Sequence, residues 1–238
     1  MENEGIVPLN NKSVDPINMS NHSIDLYYFI MSPPSRAVLI TMKALGINPN
    51  IIVTNPMAGD TMKPDYLKLN PLHTIPTIND EGFVLYDSGA IMKYLVDQYG
   101  KDDSLYPKDP KKGARVAQRL FFVSGTLFPG FFKTHIPVVM GRTAEEADKE
   151  KLREALTYMD KLLEDSKWMA GNSMTVADFA VITLLSTIES SGLFDVSFYP
   201  NLWQWFQQCK NAMSSFGYEE IVQAGADAFG GMVKKSAE

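Results

Sequence analysis

Three short stretches of this 238-residue chain carry residues that could do chemistry together. In NPLHTIPTIND, residues 70–80, a proline stands where a strand should begin. Proline cannot donate to a strand ladder, so Pro76 suits a strand start or an edge. The Ile75-Pro76 bond is also of the type that can be cis. A cis bond would turn the Ile75 main chain outward, with its N–H and C=O open to an extended, peptide-like ligand. An ordinary trans proline opening a strand is the plainer alternative.

In LYDSGAI, residues 85–91, an acid, a hydroxyl and a glycine open an apolar helix. A helix N-terminus offers unpaired N–H groups and partial positive charge, which attract a carboxylate. Ser88 can add its hydroxyl, and Asp87 can receive an ammonium. Together they suit the zwitterionic end of an α-amino acid. Asp and Ser are equally the preferred residues of a plain N-cap. In FIMSPPSRAV, residues 29–38, Ser32 lies between a strand and a helix. That is where open α/β sheets place ligands. Its hydroxyl could donate to a thiolate and lower a thiol's pKa. An N-cap or a serine turn before the two prolines explains it as well.

These stretches need elements to hold them. IDLYYFI (24–30) is β-branched and aromatic and reads as a mostly buried strand. A helix follows, entered through Pro33 and Pro34, with Val38, Met42 and Leu45 at helical spacing and Gly46 as its stop. NIIVTN (50–55) is a second strand, which makes a right-handed parallel βαβ unit. PDYLKLN (64–70) is a short helix or turn, and TIPTIND (74–80) and FVLYD (83–87) form a hairpin across Asp80, Glu81 and Gly82. SGAIMKYLVDQYG (88–100) is a helix with Ile91, Tyr94 and Leu95 on one face. The order is β-α-β-α-β-β-α.

LYPKDPKKGA changes abruptly to Pro, Lys and Gly, and residues 105–113 read as a linker. The expected division is an N-terminal extension over 1–23, a first domain over 24–104 and an all-helical domain over 114–238. In the helical part, Thr143 with Glu146 and Thr175 with Asp178 both read as capping boxes. The stretch 119–141 is one long aromatic helix, with Pro129, Gly130 and Pro137 predicting a kink or break.

Composition narrows the function classes. The net charge of -6 argues against a general nucleic-acid binder. One cysteine, Cys209, rules out a disulfide framework within the chain and suits a reducing compartment. Three histidines, with His22 in the extension, make a structural metal site improbable. No apolar run approaches a membrane span. The polar start has no secretory character, so the sequons at Asn11, Asn18 and Asn21 read as chance.

The motifs SPPSRAV, KPDYLKLNPLHTIPTIND, LYDSGAIMKYLVDQYGKDDSLYP and MTVADF, in that order, resemble the soluble glutathione transferases, and among them the insect delta/epsilon type. The resemblance spans roughly residues 24 to 225. It implies a thioredoxin-like N-terminal domain, an all-helical C-terminal domain and a cytoplasmic homodimer with a detoxification role. Ser32 matches the serine that stabilises the glutathione thiolate. Leu72, His73, Ile75 and Pro76, with Pro76 cis, match the positions around the cysteinyl-glycine part. Asp87 and Ser88 match the γ-glutamyl anchors. The implied reaction is thiolate attack on a hydrophobic electrophile, or reduction of a peroxide, with glutathione as co-substrate and no metal.

The chain departs from the family pattern in places. GDTMKP stands where GEHLKP is usual, DSG where ESH is common, and NPLH where NPQH is. Phe132 aligns with an arginine that reaches toward glutathione. Each loss could remove a hydrogen bond to a charged group, typically ~1.5–3 kcal/mol. Thr61, Gly89 and Phe132 therefore motivate an alternative, a ligandin-like binding protein with weak or lost glutathione activity. The acceptor wall is expected from Pro34, Phe128, Phe131, Phe132 and His135, an aromatic, acid-free surface suited to a flat apolar electrophile. For His135 the plainer reading is a surface histidine. Phe216 or Phe229 could cover that wall.

Overall fold

The computed structural model describes residues 24–237. The expected N-terminal extension, with its sequons and His22, lies outside the described residues. β1 (Ile24–Tyr28), β2 (Asn50–Val53), β3 (Thr77–Asp80) and β4 (Phe83–Tyr86) form one sheet in the order β2-β1-β3-β4. β2 runs parallel to β1, whereas β3 and β4 run antiparallel to their neighbours. Every strand is shorter than its apolar run suggests. β2 is also largely exposed, because it is the sheet edge.

Between β1 and β2 runs α1 (Pro33–Ala44), and Gly46 at φ 77° lets the chain leave it. α2 (Pro64–Leu69) precedes the turn into β3, and α3 (Ser88–Tyr99) follows β4. α1 and α3 pack together on the sheet through Val38, Met42, Ile91 and Leu95, all fully buried.

The second half is helical: α4 (Pro110–Phe122), α5 (Phe128–Val139), α6 (Glu146–Leu162), α7 (Val176–Ser191), α8 (Pro200–Ala212) and α9 (Ala224–Ala237). Two expectations need correction. The stretch 105–113 is helical from Pro110, capped by Asp109, whose carboxylate accepts the Lys112 N–H at 2.9 Å. α6 begins at Glu146 with Glu145 as its N-cap, so Thr143 does not cap it.

The predicted break in the aromatic helix is a π-helical turn, Val123–Leu127, in which the Phe128 N–H reaches back to the Val123 carbonyl. The cause is local. Pro129 has no N–H to give to the Gly125 carbonyl, so the ordinary ladder cannot run through and the turn widens. Pro137 is accommodated inside α5.

α7 is the buried axis of the helical domain, and the Thr175 box starts it as expected. Asp178 accepts the Thr175 N–H at 2.8 Å, the Met169 N–H at 2.9 Å and the Trp205 indole N–H at 3.0 Å. The two halves meet where α1 lies on α7. There Arg36, fully buried, donates to the Val222 carbonyl at 2.5 Å, the Thr183 carbonyl at 3.2 Å and the Thr187 hydroxyl at 2.5 Å.

Candidate active site

The sheet register gathers the three sequence stretches at one end. Tyr27 of β1 pairs with Thr77 of β3, and Thr77 pairs with Tyr86 of β4. Thr77 follows Pro76, and Tyr86 precedes Asp87. Four residues beyond Tyr28, the last residue of β1, comes Ser32. The exit of β1, the entry of β3 and the exit of β4 therefore lie side by side, with strands ~4.8 Å apart.

Ser32 is the N-cap of α1 and half-buried. Its N–H donates to the Phe29 carbonyl at 3.0 Å, and its carbonyl accepts the Arg36 N–H at 3.1 Å. Its Oγ accepts the Ser35 N–H at 3.3 Å. Capping uses the oxygen as acceptor and leaves the hydroxyl proton free to donate. The two readings of Ser32 are thus compatible.

The turn before β3 is held by a polar network that the motif reading missed. The Asn70 amide donates to the Thr74 carbonyl at 2.9 Å and to the Thr74 and Thr77 hydroxyls at 3.0 Å. Its oxygen accepts the Leu72 N–H at 3.0 Å. The Tyr66 hydroxyl donates to the Thr74 carbonyl at 2.5 Å and lies 2.9 Å from the Thr77 hydroxyl. Asn70 is fully buried and Tyr66 nearly so. Asparagine before a proline is a turn signal in sequence, but the partners come from α2 and β3 and are not.

The Ile75-Pro76 bond is cis. Among the described residues no hydrogen bond occupies the Ile75 main chain. His73 is exposed at φ 47°, and its N–H donates to the Asn70 carbonyl at 2.9 Å. Leu72 is exposed. Thr61 is buried, so the residue in place of the family histidine presents no hydroxyl to a ligand. Asp87, at φ 73°, caps α3 by accepting the Gly89 N–H at 2.9 Å and the Ala90 N–H at 3.2 Å. Ser88 is half-buried at the first helical position.

The expected acceptor wall divides. Pro34 and Phe128 are half-buried, and Phe132 is 51% exposed. Phe131 and His135 are buried, which corrects their placement on an open wall. Phe229 of α9 lies over them, with ring centroids 5.3 Å from Phe131 and 6.3 Å from His135. Phe194 stacks on the other side of His135 at 5.7 Å.

The His135 ring nitrogens meet the Thr134 hydroxyl at 2.8 Å, the Phe131 carbonyl at 3.1 Å and the Ser191 hydroxyl at 3.1 Å. Burial lowers its pKa to about 4, so it is a neutral strut between α5 and α7. Phe216 packs on Phe179 instead of covering the wall. Cys209 is buried in α8, with burial pushing its thiol pKa well up.

The comparisons with known proteins agree with this architecture. Residues 31–98 match the glutathione S-transferase N-terminal domain model, and residues 122–212 match the glutathione S-transferase C-terminal domain model. The chain is 40% identical over 210 residues to glutathione S-transferase D7 of Anopheles gambiae, covering 88% of this chain and 96% of that protein. This chain belongs to the glutathione transferase family.

Glutathione transferases with solved structures match it over most of its length. A delta-class enzyme of Nilaparvata lugens superposes with a TM-score of 0.85 at 46% identity, over 90% of this chain and 99% of that one. An epsilon-class enzyme of Musca domestica gives 0.83 at 36% identity, over 90% and 98%. This glutathione transferase thus has insect delta/epsilon relatives, the thioredoxin-like and helical domains of the family, and a transferase's identity. The similarities give no support to the ligandin alternative. Among the described residues, no helix is long and apolar enough to cross a membrane.

Proposed function

We propose that the chain binds glutathione across the sheet end and conjugates it to a hydrophobic electrophile. The Ile75 main chain pairs with the cysteinyl part as an added strand would, beside Leu72, His73 and cis Pro76. Asp87 and Ser88 take the γ-glutamyl end. The Ser32 hydroxyl donates to the sulfur, which favours the thiolate. The thiolate attacks the electrophilic carbon, an S–C bond forms, and the leaving group departs with its electron pair. The observation that carries this reading is the Tyr27–Thr77–Tyr86 row, which brings an open main chain, a helix entrance and a free hydroxyl proton to one edge.

The acceptor lies against Pro34, Phe128 and Phe132, the members of the expected wall that retain open surface. An apolar, aromatic electrophile suits them. Peroxide reduction by the same thiolate is a companion activity. A division between the two domains ahead of α4, a cytoplasmic setting, a detoxification role and a homodimer complete the proposal by family membership.

Calorimetric titration with glutathione, together with turnover of 1-chloro-2,4-dinitrobenzene, tests it. Micromolar to low-millimolar binding with turnover is expected. No binding heat, with uptake of an apolar dye, overturns it. Sedimentation should show a species near twice the 26.6 kDa chain mass.

A further inference from the structure

We propose that Arg36 is a positioning residue of the thiol site: its buried guanidinium fixes the first turn of α1 against the start of α9 and so aims the Ser32 hydroxyl. The inference rests on the glutathione reading above and adds what holds that hydroxyl in place.

As a stabilising contact Arg36 is a poor choice. A buried charge costs more to desolvate than it regains unless it is paired and fully bonded. Its guanidinium bonds only to the Val222 and Thr183 carbonyls and the Thr187 hydroxyl. The ionisable groups around it are Tyr28 of β1, Tyr218 ahead of α9 and Asp227 within α9. They act on it through charge, and none is hydrogen-bonded to it among the described residues. Its acceptors on α7 have other partners, since the Thr183 carbonyl takes the Thr187 hydroxyl at 2.8 Å and the Ser186 hydroxyl at 3.1 Å. An apolar side chain of similar length would therefore orphan few groups.

Among the described residues, the buried side-chain polar atoms that lack a hydrogen bond are Ser35 Oγ and Arg36 Nε. Such unpaired groups call for a reason beyond stability. Both lie in the turn that Ser32 caps. There the Ser35 N–H donates to Ser32 Oγ at 3.3 Å and the Arg36 N–H to the Ser32 carbonyl at 3.1 Å.

The opposing side of the grip is main chain. A π-helical turn, Tyr218–Gln223, leads into α9 and presents the Val222 carbonyl to Arg36. Three residues on, Gly225 lies so close that a Cβ there would fall 2.4 Å from the Ile30 carbonyl and 2.5 Å from Arg36 Cδ. One segment thus holds the chain two residues before Ser32 and four residues after it. With both flanks fixed, the cap geometry is fixed, and with it the direction open to the hydroxyl proton.

The test compares the intact parent with Arg36→Met, Arg36→Lys and Thr187→Val. Arg36→Met removes the charge and keeps the volume, so thermal unfolding should be little changed. Turnover of 1-chloro-2,4-dinitrobenzene should fall ~10-fold, KM for glutathione should move less than ~3-fold, and the bound thiol should ionise about one pH unit higher. Arg36→Lys keeps a shorter donor and should recover part of the turnover. Thr187→Val removes one acceptor away from the Ser32 loop and should lower kcat ~2- to 3-fold, a readout that stands even where Arg36→Met does not fold. Unchanged kcat and thiol ionisation in folded Arg36→Met overturn this inference alone. So does a loss that tracks unfolding without recovery in Arg36→Lys, or an unshifted Thr187→Val. A parent that neither binds glutathione nor turns it over overturns the function reading together with it.

Discussion

Gly225 at the start of α9 lies directly on the Arg36 side chain, and a methyl group there would sit 2.5 Å from Arg36 Cδ and 2.8 Å from its Nε. It would also press on the Ile30 carbonyl, two residues before Ser32. Arg36 is charged and fully buried, and its bonds are to carbonyls and a hydroxyl; burial lowers its pKa to about 10. Gly225→Ala should therefore destabilise the protein by ~1–3 kcal/mol through overpacking. It should also alter kcat, because the strain falls on the loop carrying Ser32. Thermal unfolding beside glutathione kinetics measures both.

On the proposed reading, Ser32→Ala removes the hydroxyl proton offered to the sulfur. Turnover should fall ~10- to 100-fold with glutathione affinity little changed, since the lost bond is to a charged group. The pH at which the bound thiol ionises should rise, readable as thiolate absorbance. An unchanged rate would remove Ser32 from the chemistry.

Asn70→Ala tests whether the turn network holds the Ile75 main chain. The Thr74 hydroxyl and the Leu72 N–H lose their partner, while the Thr74 carbonyl and the Thr77 hydroxyl each lose one bond and keep Tyr66. A stability loss of ~1–3 kcal/mol is expected, with KM for glutathione raised more than kcat is lowered. Asn70→Asp keeps the acceptor toward Leu72 and should recover part of the KM effect.

His135 and Asp178 should give opposite pH dependences of stability. The folded His135 pKa is lowered from 6.5 to about 4 by burial, against its hydrogen bond to the Phe131 carbonyl. The unfolded chain then binds more protons between those values. The stability tied to neutral His135 is full above pH 6.5 and declines as pH falls toward 4.

Asp178 is raised from 3.8 to about 6 by burial, which outweighs the bonds it accepts from Met169, Thr175 and Trp205. There the folded chain binds more protons, and stability declines as pH rises from 3.8 to 6. Each shift corresponds to roughly 3 kcal/mol at 1.36 kcal/mol per pKa unit, so the slopes largely cancel. Urea unfolding from pH 4 to 6.5 measures each variant's stability relative to the parent. It should fall with rising pH in His135→Asn and rise in Asp178→Asn.

The features legible in the sequence are those written by adjacent residues. The Pro76 turn, the Asp87 cap, the Thr175–Asp178 box and the succession of elements rest on local turn and cap chemistry, whereas the cis bond before Pro76 is implied by the family resemblance alone. The break near Pro129 was legible in place but not in kind, since a missing N–H does not say whether the helix bends or widens. Thr143 satisfied the capping-box pattern, yet the helix begins with Glu145 as its N-cap. His135 failed for a different reason. Its own helix does not say which face α9 will cover, and that face is set by a segment some ninety residues later. Arg36 acts through partners further off still, Thr183, Thr187 and Val222, which no local pattern contains.

The single sulfhydryl of the chain, Cys209, is sealed inside α8 with no exposed surface. A protein whose proposed substrate is a thiol thus carries none of its own where mixed disulfides could form. Ellman's reagent should find no reactive group on the native chain and one per chain after denaturation. The colour it develops is then a label-free clock for unfolding, insensitive to the state of the catalytic edge.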